Sequence, residues 1–150
     1  MHIYIDADAC PQEAKRAIFR ISDRLKVPVT LVANCYVSTP PSDRINAIQV
    51  AAGPDVADER IVELCQAGDL VITADIPLAS HVVDKKAFAL DSRGKLFTDA
   101  NVKDRLATRD IMAELRETGI QTGGPAPYSQ RDAQNFTNAL DRFITKALKK

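Results

Sequence analysis

The sequence predicts a three-layer α/β fold with a mostly parallel central sheet and helices on both faces. Short runs rich in β-forming residues alternate with stretches of helical periodicity along most of the chain. The 150 residues are the size of one ordinary domain, and no linker or internal repeat divides them. Hydrophobic residues make up 45% of the chain and charged residues 27%, which are globular proportions. A chain of this length buries roughly 70% of its unfolded surface, so a sizeable core is expected.

HIYID, at 2–6, reads as the first strand. In the helix that follows, Pro11 suits the first helical position, and Ala14, Ile18, Ile21 and Leu25 recur at helical spacing. PVTLVAN makes a buried second strand, and INAIQVA a third after the breaker-rich STPPSD. Asp58 to Ala67 is expected as a helix with Ile61, Leu64 and Cys65 on one face and Gly68 as its stop. DLVITAD gives a fourth strand, a short helix starts at Ile76, and KAFALD gives a fifth strand. A helical segment around Asn101 to Arg116 and a GGPAP loop precede the last helix. There Ser129 and Asp132 form a capping-box pattern, and Phe136, Leu140, Phe143 and Ala147 face the core.

Composition narrows the class. No apolar run approaches the ~18 residues of a membrane span, and Asp6 and Asp8 interrupt the N-terminus before a signal-peptide core could form. A cytoplasmic protein with no membrane contact is expected. Cys10, Cys35 and Cys65 are too scattered for a disulfide framework or zinc knuckle, and they read as small buried residues in a reducing compartment. Net charge is zero, so no general attraction to nucleic acid or anionic lipid is expected. Residues 1–100 nevertheless hold 11 Lys+Arg against 14 Asp+Glu, and residues 101–150 hold 9 against 6. Such an imbalance could set a carboxylate site beside a phosphate-attracting flank.

In a parallel sheet with right-handed crossovers, strand C-termini and the N-termini of the antiparallel helices share one edge. Asp6 and Asp8 follow strand one, Asp75 follows strand four, and Asp55 and Asp58 begin the helix before strand four. All five belong on that edge, where open α/β folds bind ligands. His2 lies at the other end of strand one, about 13 Å from Asp6 at ~3.3 Å per residue. Two carboxylates ~4 Å apart repel by about 4 kcal/mol at an effective dielectric near 20. Several together require protonation or a hard divalent cation, and Mg²⁺ or Mn²⁺ suits an all-oxygen site. Such an ion activates water and stabilises developing charge in phosphodiester hydrolysis.

Each acid also has a structural explanation. Asp55 and Asp58 could be an N-cap and an N3 acid, and Asp8 could cap the first helix. Asp6 and Asp75 terminate apolar strands and favour a site, whereas Asp91 and Asp99 suit solvated turns. Asn34, Ser38 and Thr39 follow strand two and could bind phosphate or orient water, or could be ordinary loop chemistry. Arg93 and Arg109 could neutralise phosphate or lie on the surface. Arg16, Arg20 and Arg24 form a basic stripe, which would serve as a phosphate track or as a solvated face balanced by Glu13 and Asp23. His81 reads as a helix residue and Gly123–Gly124 as a turn, since a lone GG lacks the phosphate-loop pattern. Aromatic residues, 5% of the chain, are not interleaved with basic ones as in a single-strand stacking platform.

DADACP, VAN at 32–34, GPDVAD at 53–58, GDLVITADIPLA at 68–79, RG at 93–94 and GGP at 123–125 resemble the uncharacterised bacterial YaiI/YqxD-type family across essentially the whole chain. That family is related in pattern to PIN-like and NYN nuclease domains, which place acids after strand one, in mid-domain and after strand four. The resemblance implies a single PIN-like domain over 1–150, with Asp6, Asp58 and Asp75 as the matching acids, Asp8 and Asp55 as additional ones, and a possible homodimer. IYIDADAC also resembles the DxD start of haloacid-dehalogenase-type phosphatases, but Ala9 and Cys10 stand where a Thr or Val is expected, and the later acid pair is absent. Cys10 and Arg16 have the C-x5-R spacing of a tyrosine-phosphatase loop, yet PQEAK has no Gly and begins a helix at once.

The expectation is therefore a Mg²⁺- or Mn²⁺-dependent phosphodiesterase acting on RNA or another phosphodiester. Asp6, Asp58 and Asp75 are its metal ligands, and Asp8 completes the site or orients water. Asn34, Ser38, Thr39 and Arg93 are candidate substrate contacts, with Asp55 and Asp91 secondary. The alternative is a non-catalytic PIN-like module that binds nucleic acid or a protein partner.

Overall fold

The apolar runs become strands β1 (Ile3–Asp6), β2 (Val29–Ala33), β3 (Ile45–Gln49), β4 (Leu70–Ile72) and β5 (Phe88–Leu90). A sixth, β6 (Leu96–Phe97), was not expected, because two residues are too short to show an alternating pattern. The computed structural model describes residues 1–53, 55–117 and 127–148, with Ala9 and residues 109–117 described by backbone alone. The expected GGP turn and the Arg109 side chain lie outside these. The sheet order is β3-β2-β1-β4-β5-β6. Every neighbouring pair is parallel except β5 and β6.

Side-chain alternation divides the core into two. Ile3, Ile5, Leu31, Leu70, Ile72 and Leu90 lie on one face with Ala14, Ile18 and Ile21 of α1 (Gln12–Leu25) and Phe136, Leu140 and Ile144 of α5 (Gln130–Leu148). Tyr4, Val32, Val71 and Ala89 lie on the other with Ile61 of α2 (Val56–Leu64), Leu78 and Val82 of α3 (Ile76–Asp84) and Val102 of α4 (Asp99–Glu117). Three layers result. On α5 the fully buried third residue is Ile144, while Phe143 and Ala147 are only half-buried.

Element ends differ from expectation in ways that bear on the site. Pro11 is the N-cap of α1, preceded by a 3-10 turn at Ala7–Ala9. Helix α2 starts two residues before Asp58 and stops at Leu64, with Gly68 in the following turn at φ 90. The capping box at α5 forms as expected: Ser129 N–H donates to Asp132 Oδ2 at 3.0 Å, and Asp132 N–H donates to Ser129 Oγ at 3.2 Å. Of the cysteines, Cys65 is buried, Cys10 half-buried and Cys35 exposed. The β5–β6 hairpin closes on Gly94, at φ 93, where a Cβ would lie 2.8 Å from the Asn135 carbonyl oxygen of α5. Because the chain moves outward from β1 to β3 and then returns to the other side of β1 at β4, the strand order reverses there. A crevice at the carboxyl ends of β1 and β4 is the usual ligand position in such sheets.

Candidate active site

Asp6 is the last residue of β1 and is only 8% exposed. Its carboxylate is held by Thr73, which follows β4 and is itself buried. The Thr73 hydroxyl donates to Asp6 Oδ2 at 3.1 Å and accepts the Asp75 backbone N–H at 3.0 Å. Asp75 in turn caps α3, its Oδ1 accepting the Leu78 N–H at 2.9 Å. Thr73 thus couples the ends of the two central strands, and the ITAD segment orients Asp75 by local geometry alone. From the far side Asp58, in the first turn of α2, brings its carboxyl within hydrogen-bonding reach of Asp75.

The electrostatics follow from this convergence. Burial pushes the Asp6 carboxyl above its ordinary range, the Thr73 bond opposes this, and the charges of Asp75 and Asp8 add to it. Asp58 is pushed up to about 7, first by burial, then by the charges of Asp75 and Asp6, the hydrogen bond to Asp75, and Asp55. Among the described residues Arg24 pairs with Asp141, Arg60 with Glu63 and Arg93 with Asp132, and none of these pairs takes in Asp6, Asp58 or Asp75. Crowding by Asp75 and Asp6 therefore favours the protonated form of Asp58.

The other expected residues divide between site and scaffold. Asp8 does not cap α1; its Oδ2 accepts the Asn34 N–H at 3.0 Å and its Oδ1 faces the Cys35 thiol at 3.7 Å. It pins the loop after β2 beside the edge. Asp55 is the N-cap of α2 at φ 65 without a side-chain cap bond, a conformation Asp tolerates better than most residues. The acid with a clear cap bond is instead Asp75. Asp91 closes the β5–β6 turn by accepting the Arg93 and Lys95 N–H groups, both at 2.9 Å. Arg93 pairs with Asp132 at 3.3 Å and lies 6.0 Å over the Tyr128 ring. Ser38 lines a hollow beside Asp8, and Thr39 is half-buried in the same loop. His2 is held at the opposite end of β1 by Thr30 and by Asp69, away from the carboxylates as expected.

An open cleft of about 680 Å³ between α2 and α3 contains Asp55, Asp58 and Asp75 together with Glu59, Glu63 and His81. Glu59, Glu63 and Thr73 were not singled out from sequence, and His81 was read as an ordinary helix residue. The spacing of 55, 58, 59 and 63 along one helix face was a legible signal for the glutamates. His81 is brought in only by the packing of α3 against α2.

The donor chemistry of Asp6, Asp58 and Asp75 fits a hard divalent cation, being all oxygen. As placed, however, no group of three or more His, Cys, Asp or Glu among the described residues stands ready to hold a metal ion.

Residues 4–146 match the family described as uncharacterised BCR, YaiI/YqxD family. The chain belongs to this family. It is 56% identical over 146 residues to a UPF0178 protein of Burkholderia ambifaria, with 97% of each chain covered. A UPF0178 protein of Burkholderia lata is 57% identical, and one of Burkholderia cenocepacia 56%, each over the same length and coverage. No solved structure matches the chain. Among the described residues no helix is long and apolar enough to cross a membrane.

Proposed function

We propose that this family member is a divalent-metal-dependent phosphodiesterase of PIN-like type, acting on RNA at the carboxyl edge of β1 and β4. The observation that supports it is the convergence of Asp6, Asp58 and Asp75 from three separate elements without a cationic partner, which pushes Asp58 up to about 7. A structural cluster of acids has no reason to remain uncompensated, because each buried charge costs stability. Sites that bind a cation do have one.

In this reading Asp6, Asp58 and Asp75 would hold Mg²⁺ or Mn²⁺, which supplies a water activated for attack and charge stabilisation at the phosphate. Thr73 holds the Asp6 carboxylate through one bond and the Asp75 backbone through another. Asp58 carries the proton that metal binding releases. Asp8 holds the loop that borders the site through the Asn34 N–H. Asp55, Glu59 and Glu63 line the outer cleft.

The test is cleavage of single-stranded RNA and of a small phosphodiester during Mg²⁺ or Mn²⁺ titration, with Asp75→Asn as control. Asparagine can still accept the Leu78 N–H, so the α3 cap survives while a ligand charge is lost. Metal-dependent cleavage that disappears in Asp75→Asn supports the proposal. Absence of divalent-ion binding at millimolar concentration defeats it. Metal binding without cleavage of either substrate replaces it with the non-catalytic binding module.

A further inference from the structure

We infer that the hollow beside Asp8, walled by Tyr36 and Lys15, holds one nucleotide of a single-stranded RNA, with Tyr36 against the base and Lys15 against the phosphate. This rests on the phosphodiesterase reading of the adjacent edge and names where its substrate lies. The hollow measures about 320 Å³ and is formed between the first turns of α1 and the loop after β2. That is the small end of the range for ligand sites, about 300–1,000 Å³, and suits a single nucleotide.

Its walls carry the two chemistries such a unit needs. Tyr36 is 83% exposed, against 38% for Phe88 and 47% for Leu148, the other exposed large hydrophobic residues among those described. It makes no hydrogen bond or ring contact among the described residues. An aromatic ring left in water on a loop that Asp8 pins by hydrogen bonds is a preset stacking surface. Lys15 is half-buried in the opposite wall, and no ion pair among the described residues engages it. Asp8 is the one carboxylate in the lining, and its oxygens are turned to the Asn34 N–H and the Cys35 thiol, which leaves the partly dehydrated ammonium to meet an anion. Gln12 and Ser38 add polar groups to the same walls.

Phe19 lines both the hollow and a groove of about 620 Å³ between α1 and α5, where Arg16 and Arg20 lie. Arg24, the third residue of the basic stripe, is instead paired with Asp141. Glu13 and Asp23 line the same groove and balance the two arginines, so the assignment is confined to the single nucleotide between Tyr36 and Lys15.

The experiment measures anisotropy of a labelled single-stranded RNA oligonucleotide bound to the full chain in EDTA, so that no cleavage is needed. Tyr36→Ala should weaken binding about ten-fold or more, and Tyr36→Phe should restore it, since stacking uses the ring and not the hydroxyl. Lys15→Ala should lower the slope of log affinity against log salt by about 0.7, the value for one phosphate contact on a single strand. Circular dichroism checks that the variants stay folded. Absence of oligonucleotide binding by the parent, or equal binding by Tyr36→Ala, overturns the assignment. Tyr36-dependent binding without metal-dependent cleavage upholds the hollow and rejects the phosphodiesterase, whereas cleavage indifferent to Tyr36 rejects the hollow alone.

Discussion

Replacing Asp58 with asparagine should stabilise the metal-free protein at alkaline pH and abolish its response to Mg²⁺. The folded-state value of about 7 lies above the ordinary 3.8. The native state therefore binds a proton that the unfolded chain releases, and stability present at low pH is lost as pH rises through about 7. Taken at face value a shift of that size is about 4 kcal/mol, but Asp58 opens onto solvent in the cleft, and screening reduces the effect to on the order of 1–2 kcal/mol. The asparagine amide can donate to Asp75 as the protonated acid does, at any pH. Thermal melts of parent and Asp58→Asn in EDTA should coincide near pH 5 and separate near pH 8.5. At about 2–4 °C per kcal/mol for a chain of this size, the variant should melt about 2–8 °C higher at the alkaline end. Added Mg²⁺ should raise the Tm of the parent and leave that of the variant unmoved. Equal pH dependence in the two proteins would refute the coupling of Asp58 to Asp6 and Asp75.

Other substitutions test the supporting structure. Thr73→Val removes the donor to Asp6 and the acceptor for the Asp75 N–H, and should cost about 1–3 kcal/mol in urea unfolding while moving metal binding to higher pH. Gly94→Ala would place a methyl against the Asn135 backbone of α5 at a positive φ; a loss of about 2–4 kcal/mol is expected, and an unchanged urea midpoint would contradict this packing. Ser129→Ala removes half of the α5 capping box and should lower stability by about 1 kcal/mol, read in the same assay. Asp132 is half-buried, with its carboxyl below the usual range, held down by the Ser129 bonds and by Arg93 and Arg131. Its contribution is present above the ordinary carboxylate pKa and fades as pH falls through the lower folded value, so the Ser129→Ala deficit should shrink in acid.

The five long strands, the helices between them and the shared carboxylate edge were legible in the sequence, because buried parallel strands read as apolar runs and the topology leaves their ends on one side. The sequence also singled out Asp6, Asp58 and Asp75 as lying on that edge, since each follows an apolar strand or opens a helix. β6 was not legible, as a two-residue pairing is chosen by the Asp91–Gly94 turn and by packing on α5 rather than by any pattern of its own.

What the tertiary structure alone decided is the work each acid does. IDADAC shows two carboxylates one residue apart but not that the first is buried beneath Thr73 while the second reaches outward to the loop after β2. Nor does it show that burial and the charges of Asp75 and Asp6 push the Asp58 carboxyl up to about 7. The roles of Asp6 and Asp8 depend on partners 67 and 26 residues away along the chain, and local sequence carries no information about distances of that kind.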